Sequence, residues 1–303
     1  MSSTPACSVI IPTYNRRDLL RLSLNALCDQ DIGTDAFEVL VADDGSDDGT
    51  AEMVAEFRGR LAVRHLFQPD EGHRVAAARN LGIANATSDV SVLVDSGVLL
   101  HSGALRAHLR SHEQDQPAAV IGYVYCFNLD NEDATEMMDT LDFADVDATI
   151  ARLRSEQRWL DLREEFYARE PGPLRNLPAP WGLYWTCNVS ARTSQLRAVG
   201  GLDESITSWG SEDIDLGYRL HRDGAIFSLN RDAAAIHHPH PKEWSAESRQ
   251  GLLRNRRYLA EKYDTPITRL LGVEPMISLF DINDIIRNEN LPSCQDYLAA
   301  ARR

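Results

Sequence analysis

A chain of 303 residues with 31 Lys+Arg against 46 Asp+Glu carries a formal charge of −15 at pH 7. Its 43% hydrophobic and 25% charged residues are the composition of a soluble globular protein, at a length that suits one large domain with an elaborated C-terminal part. So acidic a surface disfavours nucleic acid, whose phosphates need a basic face, and anionic lipid for the same reason. An anionic small substrate would need local positive groups or a metal.

The opening segment MSSTPACSVIIPTYNRR lacks the basic-then-apolar order of a secretory leader, and no stretch approaches 18 consecutive apolar residues. The five cysteines (Cys7, Cys28, Cys126, Cys187 and Cys294) are scattered, without a C-x-x-C pair. They fit neither a disulfide framework nor a zinc site. A cytoplasmic protein with reduced thiols and no membrane span is the expectation.

The first hundred residues alternate strand and helix patterns. Ser8–Ile11 is a β-branched run stopped by Pro12, and the leucines between Asp18 and Leu27 support a helix. Glu38–Ala42 reads as a strand ending in Asp43-Asp44-Gly45-Ser46, followed by a helix through Phe57. Leu61–Phe67 reads as a strand, Val75–Ala86 as a small-residue helix and Val90–Val94 as a strand ending at Asp95. Such alternation implies right-handed βαβ units in a mostly parallel sheet covered on both faces. Ligands bind at the carboxyl ends of such strands. Those ends carry Pro12-Thr13-Tyr14-Asn15, Asp43–Ser46 and Asp95-Ser96-Gly97, so three polar clusters are expected along one edge.

Beyond a further strand at Ala119–Val124, positions 128–147 hold many acids and no basic residue. A like-charge run of this kind is a solvated face, or the wall of an acceptor site. Ile150–Ala168 reads as one helix, Pro171–Pro180 as a loop and Ala225–Leu229 as a strand preceding Ile236-His237-His238-Pro239-His240. Glu247–Tyr263 is a charged amphipathic helix, read as core packing or an oligomer contact, with short helices or loops after it.

The stretches SVIIPTYN (8–15), EVLVADDGSD (38–47), ARNLG (78–82) and VLVD (92–95) resemble the N-terminal half of family 2 glycosyltransferases with the GT-A fold. Cys187–Ser190, Val199–Glu204 and Trp209–Leu216 are similar to the galactosyltransferase-like module of chondroitin-polymerase-type enzymes. The resemblance implies a Rossmann-like GT-A α/β domain, its mostly parallel sheet flanked by helices. Residues 1–125 would form the nucleotide-sugar half, 126–245 the acceptor and catalytic half, and 246–303 a helical extension.

It also implies an inverting transferase for hexosyl or N-acetylhexosaminyl groups, using a UDP-sugar and a soluble acceptor (a glycan, a natural product or a peptide). Pro12, Thr13, Tyr14, Asn15, Asp43, Asp44, Asp95, Ser96, Arg74 and Arg79 would meet the donor, Asp44 at the base edge and the arginines at the diphosphate. Asp213 would be the general base and Glu212 its partner, because inverting transfer needs a carboxylate to take the acceptor proton. Trp209, Gly210 and Trp185 would line the acceptor site.

Asp95 is the first acid of the family's D-x-D metal motif, but the second position is Gly97. A Mn or Mg ion would then rest on Asp95 with an imidazole from His237, His238 or His240, the choice among the three being open. The missing acid leaves a catalytically weak nucleotide-sugar-binding protein as the alternative. A nucleotidyltransferase is disfavoured because no Gly-rich loop follows the first strand. A homo-oligomer is compatible with the sequence.

Overall fold

The computed structural model describes residues 4–128, 131–240, 245–294 and 296–297. Strands and helices alternate first: β1 (Cys7–Thr13), α1 (Arg17–Cys28), β2 (Phe37–Asp43), α2 (Thr50–Ala55), β3 (Ala62–Phe67), α3 (Val75–Asn85) and β4 (Val90–Val94). β1 pairs in parallel with β2 and β4, and β2 with β3. β1, β2 and β4 are buried along their whole length, the burial expected of apolar runs in a sheet covered on both faces.

The first strand does not stop before Pro12 but runs on to Thr13. Pro12 O accepts a hydrogen bond from Ser96 Oγ at 2.8 Å, so this residue's polar backbone side faces β4. β4 pairs with β1 only as far as Ile10, and the missing proline N–H therefore removes no ladder bond.

The second half contributes β5 (Val98–Leu100), α4 (Ala104–Arg110), β6 (Ala118–Tyr125), α5 (Asn131–Thr140), α6 (Val146–Glu156), α7 (Glu164–Arg169), β7 (Asn188–Arg192) and α8 (Thr193–Ala198). α9 (Glu212–Arg222), β8 (Ile226–His237), α10 (Ala246–Tyr263), α11 (Pro266–Arg269) and α12 (Ile282–Asn288) follow. The eight-stranded sheet has the order β3-β2-β1-β4-β7-β6-β8-β5. It is parallel through β3-β2-β1-β4 and between β6 and β8, while β7 runs antiparallel to both its neighbours and β5 is antiparallel to β8. Alternate strand residues feed two cores. Ile10, Leu40 and Leu93 face the side of α9, and Val9, Val39 and Val92 the side of α1 and α4.

Two further sequence expectations change here. The helix read over Ile150–Ala168 is two helices, α6 and α7, broken where Gln157 and Trp159 take positive φ. Between them, Asp161 accepts the Val124 N–H at 2.8 Å, and Arg163 donates to Gly122 O and Leu183 O, each at 3.0 Å. These bonds pin the break to β6. The strand expected over Ala225–Leu229 continues to His237, so that histidine ends β8 rather than following it. The acidic stretch forms α5 and its flanks, with Glu132, Glu136 and Asp139 exposed; residues 129 and 130 lie outside the described part.

Strand β7 carries polar residues inward. His108 of α4 is fully buried, its Nδ1 2.9 Å from Ser190 Oγ and its Nε2 3.0 Å from Asn188 Oδ1. His112 Nε2 lies 2.8 Å from Ser190 Oγ. Burial pushes both imidazoles down to about 4, His112 being further disfavoured by His108 and Arg192. The unfolded chain, with imidazoles near 6.5, binds protons that the folded chain refuses, so stability falls as pH drops from about 6.5 towards 4. A loss of about 2 kcal/mol per histidine is expected by pH 5. Urea unfolding at pH 7 and pH 5 reads it, and equal midpoints and slopes would refute it.

Candidate active site

The carboxyl ends of β1, β2 and β4 lie on one edge and are hydrogen-bonded to one another. Asn15 N donates to Ser46 Oγ and Asp47 N to Asn15 Oδ1, each at 2.9 Å, while Ser96 reaches Pro12 as described. Asp43 is committed inside this edge. Its Oδ1 accepts the Ser46 N–H at 2.8 Å, and its Oδ2 lies 2.7 Å from His65 Nε2. Burial opposes its ionisation, but the His65 and Ser46 hydrogen bonds outweigh burial and hold it below the usual carboxylate range.

Asp44, also buried, accepts from Gln68 Nε2 at 2.6 Å and from Arg74 N at 2.9 Å. The Arg74 guanidinium turns to Glu71 and to Pro69 O, each at 2.6 Å. Thr13 Oγ1 is buried without a hydrogen-bond partner, and half-exposed Tyr14 donates to Asp70 Oδ2 at 2.9 Å. His65, Gln68 and Asp70, which shape this turn, carry no motif by which sequence reasoning could have found them.

Arg79 departs most from expectation. Rather than standing open to a diphosphate, it is 3% exposed and lies between two carboxylates. Its Nη2 donates to Asp95 Oδ1 at 2.7 Å and its Nη1 to Glu212 Oε1 at 3.1 Å. The last residue before the β4 turn is thereby tied to the first turn of α9. Next along the chain, Asn80 accepts the Leu202 N–H at 2.7 Å and donates to Leu202 O at 2.9 Å, which fixes the turn ahead of α9.

Asp213 follows Glu212 and accepts the Ile214 N–H at 2.7 Å. Burial first, and then the Glu212 carboxylate, push its pKa well above the usual carboxylate range; the Ile214 amide and Arg79 pull the other way without cancelling this. Glu212 Oε2 is buried with no partner, an acceptor oxygen left over at the edge of the bridge.

Gly97 has φ +92°, and a Cβ there would lie 3.5 Å from the Leu19 side chain. The turn after Asp95 thus requires a left-handed residue, and an aspartate there would be strained. The histidine segment abuts this turn: Val98 pairs with His237, and His238 N donates to Gly97 O at 2.7 Å. The His237 ring lies 4.7 Å from Phe127 and 5.2 Å from His240, while His238 packs 4.5 Å from Phe143. Among the described residues, no three His, Cys, Asp or Glu side chains form a metal-holding group. The Asp95 side chain is 35% exposed, with Arg79 hydrogen-bonded to its Oδ1. A carboxylate with an imidazole nearby suits a hard divalent ion only when ligand oxygens and water complete its shell.

Trp209 is half exposed, on a loop whose next residues, Gly210 and Ser211, both have positive φ. Trp185 is less open, its ring centroid 5.1 Å from the Arg163 guanidinium and 5.9 Å from Phe280. The C-terminal helix α10, expected to serve only packing or oligomerisation, lies directly against the Trp209 loop.

A family model described as glycosyl transferase family 2 matches residues 8–168, and one described as the N-terminal domain of galactosyltransferase matches residues 174–240. The chain is 35% identical over 246 residues to validoxylamine A glucosyltransferase of Streptomyces hygroscopicus subsp. jinggangensis, covering 81% of this chain and 58% of that protein. It is 30% identical over 240 residues to chondroitin synthase of Escherichia coli, covering 77% and 35%. It therefore spans little more than half the length of the first relative. S. aureus TarS 1-349 in complex with UDP-GlcNAc superposes with a TM-score of 0.59 at 17% identity, covering 88% of this chain and 70% of that one. Mannosyltransferase PcManGT from Pyrobaculum calidifontis, in complex with GDP-Man and Mn2+, gives 0.55 at 19% identity, covering 99% and 76%. The shared architecture is the GT-A fold.

Removing the cation from the Arg79 bridge leaves two carboxylates facing each other, one of them buried. Arg79→Met is expected to cost about 3–5 kcal/mol in urea unfolding, the usual penalty for an uncompensated buried charge. A change below about 1 kcal/mol would mean that the bridge does not hold the two halves together.

Proposed function

The chain belongs to glycosyl transferase family 2, and from that membership we propose that it transfers a sugar with inversion from a UDP-sugar to a hydroxyl of a soluble acceptor. The Arg79 bridge carries this reading, because it sets the catalytic pair Glu212-Asp213 against the strand edge where a donor would lie. In the reaction, an acceptor oxygen forms a bond to the anomeric carbon as the bond from that carbon to the diphosphate oxygen breaks. Asp213 takes the acceptor proton, and its raised proton affinity makes it a stronger base than an ordinary aspartate. The unpartnered Glu212 Oε2 is available to accept from a sugar or acceptor hydroxyl and so orient it. Trp209 offers a half-exposed ring against which a sugar can pack.

On the donor side, Asp44 has lone pairs left for a base N–H, and Tyr14 and Thr13 flank it on the next strand end. Arg74 and Arg79 are both bonded to carboxylates, so neither guanidinium is the main counter-charge to a diphosphate. Asp95 with His237, His238 or His240 would hold a divalent ion, Mn2+ or Mg2+. Such an ion would neutralise the diphosphate as it leaves.

The relatives' names support this donor and acceptor class. One is a glucosyltransferase named for validoxylamine A, and a solved neighbour carries UDP-GlcNAc. No helix among the described residues is long and apolar enough to cross a membrane. All five cysteines are free, which supports a cytoplasmic site of action.

Thermal unfolding with UDP or GDP, each with and without Mn2+, should show the largest stabilisation with UDP plus Mn2+. No shift with any nucleotide would overturn the donor assignment. In a UDP-release assay with UDP-glucose, Asp213→Asn should lose about 10²–10⁴-fold in kcat while UDP still stabilises the variant. Because Asp213 must be ionised to accept a proton and its pKa is raised, kcat/KM should fall on the acid side well above pH 4. An acid limb at the ordinary carboxylate position would reject Asp213 as the base.

A further inference from the structure

We infer that Asn255 of α10 is a positioning residue for transfer, holding the Trp209-Gly210-Ser211 loop and through it Asp213. The inference rests on the proposed role of Asp213 and makes the C-terminal helix part of the active site. Asn255 Nδ2 lies 2.7 Å from Gly210 O, 3.2 Å from Ser208 O and 3.4 Å from Trp209 O. Its Oδ1 accepts from Ser208 Oγ at 3.1 Å. One amide thus gathers three successive carbonyls. It has two N–H groups, so the nearest carbonyl, Gly210 O, takes one and the other two share the second. Turning the amide over would set its oxygen against three carbonyl oxygens, so the hydrogen-bond pattern itself fixes the orientation.

Ser208–Ser211 is a segment that does not hold its own shape. Gly210 at φ +91° and Ser211 at φ +78° are consecutive left-handed residues, and the serine pays strain that glycine would not. The carbonyls of Ser208, Trp209 and Gly210 face α10 in place of a strand or helix partner, while Ser211 O accepts the Asp215 N–H at 3.0 Å and opens α9. Asn255 supplies the donors immediately ahead of α9, whose first two residues are Glu212 and Asp213.

The close approach is a separate observation. Gly251 stands one helical turn before Asn255 on the same face of α10. A Cβ at Gly251 would meet Ser208 Oγ at 3.1 Å and Ser208 Cβ at 3.2 Å, and a Cβ at Gly210 would meet Leu252 Cδ1 at 3.0 Å. A glycine inside an 18-residue helix weakens it relative to alanine, and here it admits the loop. Farther along the helix, Lys262 Nζ donates to Asp203 Oδ2 at 2.6 Å and to Asp215 Oδ1 at 2.7 Å. α10 therefore grips the chain on both sides of the loop, at Asp203 before it and at Asp215 of α9 after it.

The charged groups around Asp213 come from four elements: Glu212 on α9, Arg79 on α3, Asp95 after β4, and Arg256, the neighbour of Asn255 on α10. Loosening the loop leaves these charges in place but admits water to Asp213. Its affinity for a proton then relaxes towards that of an exposed aspartate. The expected signature is a lower kcat together with an acid limb displaced to lower pH, a combination that lost stability alone does not produce.

The test compares wild type, Asn255→Ala, Asn255→Gln and Asp213→Asn for UDP release from UDP-glucose across pH, below the melting temperature of each. Asn255→Ala should lose at least tenfold in kcat, keep its KM for UDP-glucose within twofold and move the acid limb down. Asn255→Gln, which retains the amide, should recover part of the rate. Should Asn255→Ala fail to fold, Gly251→Ala and Ser208→Ala press or release the same loop and should shift the limb in the same direction by less. Wild-type kcat and pH profile in the Asn255 variants, with Asp213→Asn inactive, would overturn the positioning role and leave the base assignment standing. An active Asp213→Asn enzyme would overturn the base assignment itself.

Discussion

The structure turns on one buried cation. Arg79 lies between Asp95 and Glu212, the end of a strand in the N-terminal half and the start of a helix in the C-terminal half. Removing it would leave carboxylates of like charge close together, with Asp213 beside them. With it in place, four ionisable groups from three separated segments share a small volume. The guanidinium suits this role because its planar fork can donate to two carboxylates at once, which an ammonium on a flexible stem does less well.

This use of Arg79 changes the meaning of the net charge. In an acidic protein, arginines beside a proposed phosphate site look like counter-charges for the ligand. Here Arg79 and Arg74 are both turned towards the protein's own carboxylates. Arg79 ties two separated segments together, and Arg74 holds its own loop at Pro69 and Glu71. Asp43 and Asp44 show the same economy, since the oxygens of both hold the turn together, Asp43 through Ser46 and His65 and Asp44 through Gln68 and Arg74 N. Much of the remaining acidity is on exposed surface, as on α5.

The Rossmann-like half was legible because its physics is local. Runs such as Val9-Ile10-Ile11 and Val39-Leu40-Val41 must be buried on both faces, and the polar residues that end them must then share an edge. The strands that were missed have physical reasons. β5 has only three residues, and β7 alternates with Asn188 and Ser190, which turn inward to His108 and so hide the apolar pattern. The break between α6 and α7 depends on Asp161 and Arg163 bonding to β6 and to Leu183, partners about twenty to forty residues away that no helical periodicity contains.

By itself the sequence determined the fold class and the strand edge that carries the polar turns, because periodicity and turn chemistry act over a few neighbouring residues. Only the tertiary structure decided which of those side chains remain available for a ligand. Arg79 became a bridge, Gly97 proved to be a left-handed turn residue, and α10 moved from the periphery to the loop before Asp213. Each of these outcomes depends on a partner more than forty residues distant or on a backbone angle. Such long-range contacts form only when the whole chain closes, so residue spacing carries no trace of them.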